Sequence, residues 1–244
     1  GVVDSLLVHA EAMGGRLPVM SYGGGNVDCM IGNHAVPILV DACQKGLCSG
    51  DSALRAVYSA IKETLANGHA GKPKEDWSIY DEYGYYPCDL VKSESVSRTL
   101  ECSYDDWCAS LLARKLGMSD DAAFFARRAA SWRNVFDPEM KMMRGRDSKG
   151  GWLTPFNPYA LGGGDERKNC FTEGNSFQYT WHVLQDPEGL IAAMGGKESF
   201  VKKLDALFSQ PESAEGMGER IDVSGLIGQY AHGNEPSHHV AYFY

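Results

Sequence analysis

The run Glu94-Ser95-Val96-Ser97-Arg98-Thr99-Leu100-Glu101-Cys102-Ser103-Tyr104-Asp105-Asp106-Trp107 continues to Leu116 and stops at Gly117. It predicts the longest helix of the chain, with glycine at the C-terminal stop. At helical spacing Glu94, Arg98 and Glu101 share one face, as do Glu94, Glu101 and Asp105. Two readings stay open. One is a solvated face of ion pairs, each worth about a few tenths of a kcal/mol. The other is a polar helix start that lines a pocket.

Outward from this run the pattern stays helical. Residues 4–13 carry apolar side chains at helical spacing and stop at Gly14-Gly15. Residues 29–45 predict a helix kinked near Pro37 and ended by Gly46. Asp51 is placed to cap a helix over 52–67 that Gly68 closes. Ser119 or Asp120 opens another, running to about Phe136. Short helices are expected over 176–183, 187–194 and 198–209, and a last one from about Pro236. Residues 71–92 and 147–172 read as long irregular stretches, and 211–222 as a polar turn. Convincing strand alternation is nearly absent.

The fold class expected is therefore all-α, an array of helical hairpins. Such arrays close into toroids or stack into solenoids. No strict repeat of fixed period appears, which disfavours a regular solenoid. In a toroid the long loops gather at one mouth and carry function. These loops are rich in Trp, Tyr, Asp, Glu and Asn, the residue types that stack on sugars and hydrogen-bond to them.

Composition narrows the function. The 244 residues are 43% hydrophobic and 23% charged, which is globular rather than disordered. Lys and Arg total 23 against 32 Asp and Glu, a net charge of −9. An acidic chain without clustered cations argues against nucleic acid and suits a neutral substrate or a bound cation. None of the seven cysteines forms a C-x-x-C pair, and their number is odd, so neither a zinc framework nor a disulfide scaffold is indicated. Small buried apolar residues are the plain reading, with a disulfide or two open to an exported protein. No stretch approaches roughly 18 continuous apolar residues, so no membrane span is expected. Gly1 opens directly on a helix-like run and Tyr244 stops mid-pattern, so both termini read as cut from something longer.

Two further segments carry chemistry. In Thr172-Glu173-Gly174-Asn175-Ser176-Phe177-Gln178-Tyr179-Thr180-Trp181 a Gly-rich loop meets an aromatic helix. Glu173 either caps that helix or serves as a general acid. The helix dipole favours its charged form; burial against Phe177 or Trp181 would raise its pKa as an acid requires. The second segment is Gly228-Gln229-Tyr230-Ala231-His232-Gly233-Asn234-Glu235-Pro236-Ser237-His238-His239, a turn with Pro236 suited to a first helical position. Asn234 and Glu235 offer the hard oxygens that calcium takes. His238 and His239 are adjacent and lack the i,i+4 pairing of a zinc helix. A polar loop without a ligand is the alternative. Neither a Gly-x-Ser-x-Gly elbow nor a phosphate-binding Gly-Lys-Ser/Thr loop occurs.

Taken together the three segments resemble glycoside hydrolase family 92, the calcium-dependent α-mannosidases. Gly32-Asn33-His34-Ala35-Val36-Pro37-Ile38 and Pro187-Glu188-Gly189-Leu190 add to the match, which runs along essentially the whole chain. The resemblance implies that residues 1–244 are part of one (α/α)6 toroid. An N-terminal β-sandwich, against which it would pack, and the C-terminal end of the toroid lie outside the chain. It implies inverting exo-hydrolysis of terminal α-linked mannose, of the α-1,2 type, from N-glycan or mannan oligosaccharides. Glu173 takes the place of the family's general acid. Asn234 and Glu235 take the place of the calcium site, and His232 and Glu235 that of the terminal mannose. Phe177 stands where many relatives carry Trp, which keeps an apolar surface and removes an N–H donor. The family's general base is expected beyond Tyr244, so the chain alone is expected to be inactive. The substrate class implies a periplasmic or extracellular setting. A helical glycan-binding module without activity, and an (α/α)6 glycosidase of another sugar specificity, are the alternatives.

Overall fold

The computed structural model describes residues 1–22, 25–26, 30–67, 74–161, 170–212, 223 and 225–244, with the backbone alone for 21–22, 25–26 and 74–76. The chain divides into two compact units. One holds residues 1–84 and 101–131, the other 85–100 and 132–244.

The first unit is helical. It contains α1 (Val2–Ala12), α2 (Ala35–Gln44), α3 (Asp51–Asn67) and α4 (Lys74–Tyr83), most of α5 (Ser95–Lys115), and α6 (Ser119–Arg128). A two-residue antiparallel pair, β1 (Ser21–Tyr22) with β2 (Gly25–Asn26), interrupts them. The helices α1, α2 and α3 pack on one another. On α3 the buried residues are Val57, Tyr58, Ala60, Ile61, Thr64 and Leu65, the spacing of one helical face. On α2 they include Val36, Leu39, Val40 and Cys43. Gly46 takes a positive φ of 78° and ends α2, where Cys43 and Cys48 form a disulfide across the turn. Asp120 and Asp121 open α6, and Arg127 and Arg128 close it, each sign at the helix end that favours it.

Three expectations need correcting here. Residues 71–92 are not irregular throughout, because α4 lies within them. It buries Trp77 and Tyr80, three residues apart, and the Arg128 guanidinium stacks over both rings at 4.7 and 4.9 Å. That aromatic spacing was a helix signal under a polar composition. The helix expected to run to Phe136 stops at Arg128, and Phe136 instead belongs to a strand. Cysteine is not merely a core filler, since Cys43 and Cys48 are bonded.

The second unit has shorter elements. The strands β3 (Phe136–Asp137) and β4 (Met142–Met143) pair antiparallel, with Phe136 opposite Met143 and Asp137 opposite Met142. Then come α7 (Ser176–Tyr179), α8 (Pro187–Ala193) and α9 (Lys197–Ser209). The strands β5 (Leu226–Ile227) and β6 (Tyr230–Ala231) form a second antiparallel pair. Two 3-10 turns, Glu235–Ser237 and Val240–Phe243, replace the single last helix expected from Pro236. Asp186 caps α8 by accepting from Gly189 N at 2.9 Å, with Pro187 in the first turn. The helix α7 has four residues, yet it packs against β4, β6 and the turn Glu235–Ser237. An isolated helix that short does not hold in water; its neighbours hold it. Mostly helical architecture is thus observed. Among the described residues, no helix is long and apolar enough to cross a membrane.

Candidate functional site

The segment leading into α7 is anchored before it reaches Glu173. The Cys170 carbonyl accepts from Val96 N at 3.0 Å and Ser97 N at 3.2 Å, two donors in the first turn of α5 that have no partner within the helix. Ser97 Oγ accepts from Thr172 N at 2.8 Å. Glu173 follows, with φ of +47°, a left-handed conformation that costs a side-chain-bearing residue on the order of 1 kcal/mol. Gly174 comes next because a Cβ there would stand 2.9 Å from Gln178 Oε1 and 3.1 Å from Tyr179 Cε2.

The cap of α7 is Asn175, not Glu173. Asn175 Oδ1 accepts from Phe177 N at 3.0 Å and Gln178 N at 3.3 Å, and Gln178 Oε1 accepts from Asn175 N at 2.8 Å. This is a reciprocal capping box. It removes the capping reading of Glu173, since the capping task belongs to the residue two positions on.

Gln229 joins the two motifs. Its Oε1 accepts from Asn175 Nδ2 at 2.8 Å, and its carbonyl accepts from Gln178 Nε2 at 3.1 Å. Its own Nε2 donates to Pro211 O at 2.6 Å. Gln229 is fully buried, so each of these bonds replaces water that cannot reach it. Sequence reasoning gave this residue no role. The one signal was Gly228 before it, whose missing Cβ admits Leu207 O and Phe208 O within 2.6 Å.

The last motif then closes on Glu173. Asn234 Nδ2 donates to the Glu173 carbonyl at 3.2 Å, and Asn234 Oδ1 accepts from Glu235 N at 3.1 Å. Asn234 is buried, whereas Glu235 and His232 are exposed on the same turn. His232 Nδ1 pairs with Tyr230 OH at 2.7 Å. His238 Nε2 donates to the His232 carbonyl at 3.1 Å, and His239 Nε2 to that of Trp181 at 2.8 Å. The three imidazoles thus serve three separate contacts. Among the described residues no group of three His, Cys, Asp or Glu is placed to hold a metal ion. Phe177 pairs with Tyr159 at 4.7 Å between ring centroids, and Trp181 packs edge-on to Phe200 in the core.

In the first unit the polar face of α5 is not solvated. Glu101, Asp105 and Asp106 are 4%, 1% and 0% exposed. Asp105 accepts from Asn33 N at 2.8 Å. Burial, and then the charge of Glu101, push its carboxyl well above the usual range. Asp106 accepts from Arg128 Nε at 3.0 Å and Tyr80 OH at 3.1 Å. Burial raises it to about 6, against the lowering pull of Arg128. Gly32 lies so close that a Cβ there would meet Glu101 Cβ at 2.9 Å. These acids are therefore buried polar groups, with Asp106 Oδ1 left without a hydrogen-bond partner among the described residues, and the reading as a solvated row of ion pairs is overturned.

Comparison with known proteins gives the lineage. The family model described as the glycosyl hydrolase family 92 catalytic domain matches residues 1–244. A solved family 92 α-mannosidase from Bacteroides thetaiotaomicron, in complex with mannoimidazole, is 44% identical. It superposes with a TM-score of 0.86 over 100% of this chain and 31% of its own. An inverting family 92 mannosidase from the same species is 33% identical, with a TM-score of 0.81 over 99% of this chain and 33% of its own. An uncharacterized secreted glycosidase of Arthroderma benhamiae is 24% identical over 230 residues, covering 73% of this chain and 29% of the relative. The chain thus spans about a third of the length of the solved relatives. With its full length matched by the family model and by solved members, the chain belongs to glycosyl hydrolase family 92, within the catalytic domain.

Proposed function

We propose that the protein carrying this chain is an inverting, calcium-assisted exo-α-mannosidase. It would remove terminal α-1,2-linked mannose from N-glycan or mannan oligosaccharides, in a partial (α/α)6 toroid exposed to the periplasm or the cell exterior. What carries the reading is the bond from Asn234 Nδ2 to the Glu173 carbonyl. It joins the backbone of Glu173 to the turn that carries His232, Asn234 and Glu235, which supports reading them as one site. Whole-chain likeness to two solved mannosidases supports the substrate class.

Glu173 is assigned the role of proton donor to the leaving oxygen. Its backbone is fixed on both sides, by Ser97 through Thr172 and by the Asn175 cap. A proton donor gains from such fixing, because its reach to the leaving oxygen sets the rate. Inversion needs a second carboxylate, roughly 6.5–9.5 Å away, to activate water. No residue of this chain is assigned to that task. His232 and Glu235, exposed on the turn beside Asn234, are assigned to the terminal mannose.

For calcium, the donors Asn234 Oδ1 and Glu235 carboxylate are hard oxygens of the right kind. Asn234 Oδ1 accepts one bond from Glu235 N and keeps a second lone pair. His238 and His239 each commit Nε2 to a backbone carbonyl. Calcium, when bound, supplies positive charge at the sugar hydroxyls and eases the ring toward its transition-state shape.

The deciding experiment is Glu173→Gln in the full-length protein. Turnover of mannosides with poor leaving groups should fall by about 10²–10⁴, the usual worth of a general acid. An aryl mannoside with a good leaving group should keep most of its rate. Equal losses on both substrates would remove Glu173 from the proton-donor role.

A further inference from the structure

Two cysteines of the second unit are unused by the proposed reaction. Cys88 N donates to the Arg146 carbonyl at 2.9 Å. A Cβ on the neighbouring Gly145 would stand 2.7 Å from Cys170 Sγ. Both cysteines therefore converge on the same dipeptide from different parts of the chain, and their thiols lie close enough for each to shift the other's titration. Gly145 itself is held, its carbonyl accepting from Leu153 N at 2.9 Å. Cys170 also lines a cavity of about 230 Å³ with Leu153, Phe156 and Phe171, while Cys88 is half-buried. A disulfide already exists elsewhere in the chain, between Cys43 and Cys48.

We propose that Cys88 and Cys170 close as a second disulfide, which ties the loop around Pro87 to the segment that delivers Glu173. The pair is asymmetric. The interaction with Cys88 pulls the Cys170 thiol down, and that with Cys170 pushes Cys88 up. The oxidant is an external disulfide. Cys170, the thiol drawn down and reached through the cavity it lines, gives its proton to water, attacks that disulfide and expels one thiol. Cys88 then gives up its proton, attacks Cys170 Sγ and expels the second. Two protein thiols and one external disulfide become one protein disulfide and two external thiols. The bond does not depend on what Glu173 does, whereas its consequence for turnover rests on the mannosidase reading.

The site differs from a chance pairing of buried thiols in where it acts. Cys170 stands three positions before Glu173, and its carbonyl already holds the first turn of α5. A covalent tie at its side chain fixes the same residue from a second direction.

The test is peptide mapping of the full-length protein, oxidised with excess oxidised glutathione, denatured and alkylated without reductant. The expected result is a peptide linking Cys88 to Cys170, with Cys102 and Cys108 alkylated. Alkylated Cys88 and Cys170, or either one joined to a different cysteine, would overturn the proposal. In Cys88→Ser, Cys170 is expected to stop at the mixed disulfide with glutathione; should that variant not fold, the wild-type map alone decides. The map needs no mannosidase activity, so failure of the proposed function leaves it readable. Where the link forms, dithiothreitol should slow turnover of wild type and leave Cys88→Ser unchanged.

Discussion

Asn234 Nδ2 donates to the backbone carbonyl of Glu173 at 3.2 Å, across 61 positions of sequence. The bond fixes the peptide that leaves Glu173 while that residue sits at φ +47°. Asn234→Asp separates this positioning from any role in holding a cation. The aspartate keeps an oxygen for Glu235 N and for calcium, but it cannot donate to the Glu173 carbonyl. We predict that kcat falls by about 10–10²-fold, as for a misplaced catalytic group, while the calcium concentration for half-activation does not rise. A calcium titration of the variant checks both.

Gly174 is required by contact rather than by φ. A methyl group there meets Gln178 Oε1 and Tyr179 Cε2, and Gln178 is committed to the capping box and to Gln229. Gly174→Ala is predicted to cost about 1–3 kcal/mol of stability, as overpacking does. Denaturant unfolding measures it. A change within about 0.5 kcal/mol, typical of an unconstrained surface position, would mean that the cap tolerates displacement.

Gln229 ties α7 to the turn that carries Asn234. Truncating it to Ala leaves Asn175 Nδ2 without its 2.8 Å acceptor inside the protein. The expected cost is about 2–3 kcal/mol, for a buried amide left with only the Tyr159 carbonyl at 3.5 Å, together with lost packing. Gln229→Glu is predicted to be milder at acidic pH, because burial favours a protonated carboxyl that accepts from Asn175 with one oxygen and donates to Pro211 O with the other. Thermal unfolding of the two variants orders them; a milder Ala variant would show that Asn175 finds another partner.

The long helices were legible because glycine punctuates them and their apolar spacing is helical. Gly117, with φ of 73°, ends α5 where the sequence placed it. The motif around Glu173 was legible as a loop meeting a helix, and its neighbours in space were not. Gln229 and Ser97 reach it through bonds that span 54 and 75 positions of the chain, which no local pattern encodes. The acids of α5 were misjudged for a related reason. Charge at i,i+4 spacing reads as a wet face until Arg128, Tyr80 and Asn33 are known to meet it. The expected polar turn over 211–222 and the Gly-rich run Gly162-Gly163-Gly164 lie largely outside the described residues.

Asp106 makes a pH dependence with a defined sign. Its carboxyl rises from an ordinary value of 3.8 to about 6 in the folded protein, because burial outweighs the Arg128 charge. Between those values the folded state binds a proton that the unfolded state has released. Stability from this group is therefore complete below pH 3.8 and is lost as pH rises through about 6. The loss is on the order of 3 kcal/mol at about 1.4 kcal/mol per unit. Asp105, also raised by burial and by Glu101, acts in the same direction. Asp106→Asn keeps an acceptor for Arg128 Nε and cannot ionise. We predict that the variant loses less stability than wild type between pH 4 and 6.5, read as denaturant midpoints along the series. An unchanged slope would mean that Arg128, only 12% exposed at its side chain, keeps Asp106 ionised throughout, so that the pair is held by charge rather than by a retained proton.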